Sequence, residues 1–236
     1  MNSHNQSLNE IKYCPTPAAQ TALIIITSLM AMTIIVANYT ASKLWNFFGI
    51  SVDGGLILFP LSYALGDILV EIYGRRTANI VSWSSSTIGA LTCVVMFIVR
   101  LLPDYANADN SVFNTIADNT GRIFIASIVG FLASQMLNNY IFERIRFLQT
   151  NDEQSKSGHQ FRLRALLSSA LAHIPDILFF EPIAFLGILS FREFLSQAVF
   201  AYITSIAVEI VFLVTLTSPL VEAMAHWLKF RHGERI

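Results

Sequence analysis

An all-α polytopic membrane protein of six transmembrane helices is the fold class this 236-residue sequence predicts. Three observations predict it. Hydrophobic residues make up 54% of the chain and charged residues only 13%, against about 25% charged in soluble domains. Mean hydropathy is +0.55. Apolar runs near the length of a bilayer core, about 20 residues per helix, recur along the chain. Carboxylates interrupt those runs. Asp67 and Glu71 lie in one run, Asp176 and Glu181 in another and Glu209 in a third. An acid at a helix centre costs roughly 2.5–3.5 kcal/mol on insertion scales, so such residues face an internal cavity or a partner rather than lipid.

Residues 1–20 read as a polar cytoplasmic tail. They carry Pro15 and Pro17 and lack the basic start and small-residue cleavage site of a signal peptide. Residues 21–219 form the predicted transmembrane domain, with spans at Thr21–Lys43, Gly55–Tyr73, Ala78–Leu101, Arg122–Phe142, Leu163–Leu189 and Leu195–Pro219. The fifth contains His173, Pro175, Asp176 and Pro182, which predicts a kinked or broken helix. Residues 220–236 form a cytoplasmic or interfacial tail, where Trp227 and Leu228 adjoin Lys229 and Arg231.

Basic residues set the orientation. With the N-terminus inside, the cytoplasmic side receives Lys12, Arg75, Arg76, Arg144, Arg146, Lys156, Arg162, Arg164, Lys229, Arg231 and Arg235. The other side receives Lys43, Arg100, Arg122 and Arg192. Both termini are therefore expected in the cytoplasm. Asn38-Tyr39 near the end of the first span is echoed by Asn139-Tyr140 near the end of the fourth, and Asp67-Ile68-Leu69 by Asp176-Ile177-Leu178. Matches three spans apart are what a 3+3 inverted repeat leaves, the plan of many secondary transporters.

Several residues are candidates for chemistry. Tyr63, Asp67, Glu71 and Arg75 are spaced by four and share a helix face. An ion pair between Glu71 and Arg75 at the boundary explains those two, whereas Asp67 lies a turn deeper. Asp176 follows Pro175, whose missing N–H frees a carbonyl inside the helix; a binding role and a structural pairing are both open. His173, one turn earlier, fits a structural hydrogen bond or a proton relay. Gln135 and Asn138 share a face and serve either helix packing or a ligand. Glu209 is isolated in apolar sequence and needs a partner or a proton. Glu181 reads as a boundary residue.

A net charge of −1 and the lack of a basic stripe argue against nucleic acid. No Walker A sequence, zinc-protease helix or Gly-x-Ser-x-Gly elbow is present, so an enzyme is not expected. The two cysteines, Cys14 and Cys93, form neither a disulfide framework nor a metal set, and no cofactor is expected.

The stretch from Phe59-Pro60 through Asp67, Glu71, Gly74 and Arg75 resembles the queuosine precursor transporters, within the vitamin uptake transporter family of bacterial inner membranes. So do Arg122 to Ala126-Ser127 with Gln135 and Phe142, and Asp176 followed by Ile183-Ala184-Phe185. The likeness runs from Asn38 to Pro219. It implies a multi-pass inner-membrane importer of 7-deazaguanine precursors of the tRNA base queuosine, with queuine in the same range. It nominates Asn38, Asp67, Glu71, Arg122, Gln135 and Asp176 for the substrate, and leaves Tyr63, Asn138, His173 and Glu209 as further candidates for substrate contact or coupling. Two positions depart from the pattern: Asn138 stands where an acid is frequent, and Glu209 where the last helix carries a lysine. The competing reading is a vitamin-binding membrane subunit served by an external ATPase. It would need an Ala-x-x-x-Ala docking surface in mid-helix 1, and Ala37 to Ala41 near the helix end is the only match.

Overall fold

The computed structural model describes residues 17–106, 108–149 and 158–223. The expectations for residues 1–16, for the Lys156 region of the long polar loop and for the tail from Ala225 to Arg235 lie outside them. Helix α1 covers Pro17–Ala41, α2 Phe59–Arg100, α3 Ser111–Gln149, α4 Gly158–Phe185 and α5 Phe191–Phe212. Among the described residues, these are five helices long and apolar enough to cross a membrane. The interior combines an apolar core, with Met30, Ile68, Leu69 and Phe131 in it, with a set of polar groups, and the outside is apolar. Asn38, Asp67, Gln135, Asn138, Asn139, His173 and Glu209 are all buried, whereas Ile24, Leu91, Ile125, Leu178 and Ile203 face outward. That arrangement suits hydrocarbon, which cannot hydrogen-bond a polar group.

Helix α2 spans 42 residues, which at about 1.5 Å per residue would be about 63 Å if straight, twice a hydrocarbon core of about 30 Å. It is not straight. Gly74 has φ 81° and ψ 161°, a conformation essentially confined to glycine. Contacts with α3 show what this residue does. Before it, Phe59 meets Phe131, Tyr63 meets Ser134 and Asp67 meets Asn138, so the two segments run parallel. After it, Asn79 meets Asn139 and Arg100 meets Asp118, so they run antiparallel. The chain reverses at Gly74.

Three features differ from expectation. First, α4 is not broken: it runs helically through Pro175 and Pro182 to Phe185. Each proline removes one backbone bond, and packing against α3 on one side and α5 on the other supports the segment. Second, a β-hairpin joins α1 to α2. Strands β1 (Leu44–Phe47) and β2 (Ile50–Asp53) pair antiparallel about Phe48 and Gly49, both at positive φ. Val52 buries against Leu56 and Ala201, which seats the hairpin on α5. Third, α5 passes into a π-helical turn, Leu213–Thr217, where the Thr217 hydroxyl bonds the Phe212 carbonyl.

Candidate functional site

A cavity opens between α1, the start of α2, and α3, α4 and α5. Three carboxylates border it. Asp53 ends the hairpin, and Asp176 and Glu181 lie five residues apart on α4. Each arrives by a different local cause. Asp53 caps the 3₁₀ turn Gly54–Ile57, accepting the Gly55 N–H at 2.8 Å. Its burial pushes the carboxyl up to about 6, because desolvation outweighs the bonds it accepts from the Gly55 and Leu56 N–H groups. Glu181 is 2% exposed and accepts Gln197 Nε2 from α5 at 3.1 Å. Asp176 is 6% exposed, and its Oδ1 has no hydrogen-bond partner. A buried acceptor without a donor is a costly arrangement that a ligand can relieve.

The opposite wall carries Asn38 and Ser127. Asn38 Nδ2 donates to the Ile34 carbonyl at 2.7 Å and to Ser127 Oγ at 3.0 Å, which locks the amide in place and ties α1 to α3. Phe59 and Phe180 supply flat apolar faces, and Ser205 adds a hydroxyl. Gly130 lets α3 approach: a Cβ there would lie 2.8 Å from Asp176 Oδ1 and 3.2 Å from Phe180 Cβ. Ala37 and Ala41 are buried in the cavity wall. They offer no outward docking stripe.

Of the six residues nominated for substrate, Asn38 and Asp176 border the cavity and the other four are engaged elsewhere. Asp67 accepts Asn138 Nδ2 at 2.9 Å. Glu71 is held by Arg164 at 3.0 Å, with Arg146 at 3.9 Å. The expected Glu71–Arg75 pair is not formed, because Arg75 turns to Glu143 at 2.8 Å. Arg122 donates to the Ile183 and Leu186 carbonyls and so satisfies the C-terminal end of α4. Gln135 bonds Asn139 at 3.2 Å, and Asn139 reaches Asn79.

Below the cavity lies a second polar layer. His173 Nε2 and Glu209 Oε2 are 3.1 Å apart, with side chains 1% and 2% exposed. Tyr63 bonds Ser134 at 2.7 Å, and its ring lies 4.3 Å from the His173 ring. Sequence reasoning undervalued Asp53 and Glu181. Both sit at helix or hairpin ends, where a carboxylate ordinarily reaches water, and only the fold turns them inward. Ser127 and Ser205 carry no sequence signal beyond polarity in an apolar run.

Comparison with known proteins bears on this arrangement. Residues 53–218 match the model of the family described as "Putative vitamin uptake transporter". The chain belongs to that family. Its matched region takes in Asp53, all of the α4 acids and Glu209, so every carboxylate of the cavity falls within the family domain. The chain is also 26% identical over 176 residues to the "Probable queuosine precursor transporter" of Bacillus subtilis (strain 168), covering 74% of each protein. No solved structure matches it. Membership and the apolar helices together make this a multi-pass membrane transporter.

Proposed function

We propose that this protein imports 7-deazaguanine precursors of queuosine across the bacterial inner membrane, without an ATPase partner. The observation that carries the reading is the cavity itself, with three carboxylates, one locked amide and two phenylalanines around one space. A guanine-like edge presents a ring N–H beside an exocyclic amine, and a carboxylate accepts both. Asp176, with an unpartnered oxygen, suits that edge. Asp53 and Glu181 suit a cationic aminomethyl substituent, and Phe59 and Phe180 suit the flat base. Asn38, with both amide N–H groups donated to Ile34 and Ser127, keeps its Oδ1 to accept a ring or amine N–H. The name of the Bacillus subtilis relative agrees with this substrate class.

The chain is read as crossing the membrane six times, with α2 supplying two crossings on either side of Gly74 and both termini inside. The reversal against α3 supports this count. Asp67 and Asp176, each buried and three crossings apart, fit two inverted groups of three. The cavity then opens in the outer half of the bundle. The test is uptake in cells unable to synthesise queuosine, reading the modification of their tRNA. Expression of this chain should restore modification when a 7-deazaguanine base is supplied outside. Failure to restore it, with the protein present in the membrane, would refute the assignment.

A further inference from the structure

The His173–Glu209 pair lies outside the cavity wall and has no role in the binding just described. Its surroundings make it a device for one proton. The two side chains meet at 3.1 Å with 1% and 2% exposure, midway along α4 and in the last turn of α5. With no proton, a buried carboxylate faces a neutral ring and has no counter-charge. With two, an imidazolium faces a neutral acid. Only the singly protonated pair is neutral overall, and burial favours that state. Imidazole is also the side chain whose ordinary pKa lies between about pH 5 and 8.

The pair is connected to the cavity. His173 and Asp176 are three residues apart on α4 and so share a helix face, and the Tyr63 ring rests on the imidazole. Among the described residues, the other ionisable groups facing the pair are Tyr63 and Asp67 from α2 and Asp176 from α4. Among these His173 is the only base. Glu209 Oε1 has no hydrogen-bond partner, so the pair keeps an acceptor free for a proton or its carrier water.

We propose that His173 and Glu209 form a proton-binding site that couples uptake to the proton gradient. The carboxylate and the imidazole share one proton from the outer side while substrate occupies Asp176, and lose it to the inner side when the cavity empties. The bundle then never carries the Glu209 charge uncompensated beside an occupied cavity. The driving role rests on the transport reading above. The proton site itself does not.

The test has two arms. Purified protein in liposomes, with the membrane potential clamped, receives labelled aminomethyl-7-deazaguanine and an acid-outside pH gradient. The wild type should accumulate label several-fold over the equal-pH control. His173→Gln and Glu209→Gln should lose that accumulation and keep exchange of label at equal pH, because neither borders the cavity. Retained gradient-driven accumulation in both variants, or none in an exchanging wild type, would overturn the coupling. The second arm needs no substrate. In protein labelled with ¹⁵N-histidine, the resonance absent from His173→Gln should report a ring nitrogen that shares its proton with Glu209, and it should move in Glu209→Gln. A His173 signal unchanged in Glu209→Gln would overturn the proton site whatever the cavity binds. A wild type that binds no 7-deazaguanine while the His173 signal moves in Glu209→Gln would refute the substrate reading alone.

Discussion

Replacement of Asp176 by asparagine separates the cavity from the polar layers beneath it. Asp176 is 6% exposed, borders the cavity and leaves Oδ1 without a donor. Asparagine keeps the size and removes the charge, and its amide both donates and accepts where the carboxylate only accepts. A hydrogen bond to a charged group contributes roughly 1.5–3 kcal/mol. At about 1.4 kcal/mol per tenfold, affinity for a 7-deazaguanine base should fall about tenfold to a hundredfold. Removal of a buried charge also eases membrane insertion, so abundance should not fall. Equilibrium binding of labelled base to purified protein measures the first quantity, and quantitation of the membrane fraction the second.

Asp67→Asn is the control that makes the result decisive. Asp67 is equally buried but answers to Asn138 at 2.9 Å and lies off the cavity. An asparagine oxygen can still accept that bond, so affinity should change by less than about threefold. Wild-type affinity in Asp176→Asn would refute the site. Equal losses in both variants would refute the distinction between cavity and support.

Three further outcomes follow from the same geometry. Asp53 should make recognition of a cationic base pH-dependent: its carboxyl titrates at about 6, the ionised form is the one that attracts a cation, and affinity should hold above that pH and weaken as pH falls through it; the fall over the same range should be smaller for Asp53→Asn, or for a base without the amine. Gly74→Ala forces a side chain into a conformation essentially confined to glycine, at about 1–3 kcal/mol, so the melting temperature in detergent should drop while the affinity of the folded fraction stays the same. Gly130→Ala places a methyl 2.8 Å from Asp176 Oδ1, and ligand binding should weaken more than thermal stability when both are measured on one preparation.

The fold was legible where the bilayer constrains composition. Apolar runs mark the crossings because hydrocarbon admits little else, and the run boundary at Gly74 was visible as Arg75-Arg76 after an apolar stretch. The hairpin from Leu44 to Asp53 was not legible. Its strands are four residues each, its turn places Phe48 rather than the favoured asparagine at positive φ, and its burial depends on α5, some 150 residues later. Pro175 and Pro182 misled for a related reason, since a proline's local penalty says nothing of the neighbours that support the helix around it.

At the site the same limit sorts the acids. An acid in a long apolar run announces that its charge needs an answer, and the sequence alone cannot say who answers. Glu71 looked to Arg75 four residues on, yet its partner is Arg164, 93 residues away. Asp67 found Asn138 at a separation of 71, and Glu209 found His173 at 36. Arg122 answered no acid and bonded two carbonyls at the end of α4. What sets Asp176 apart is where its unpartnered oxygen lies: Glu209 Oε1 also lacks a donor, but Asp176 Oδ1 does so beside an open space that Asp53 and Glu181 also face. An unanswered acceptor in a cavity that already gathers negative charge calls for a donor-rich, cationic solute from outside the chain, and that requirement ties the buried charge to transport.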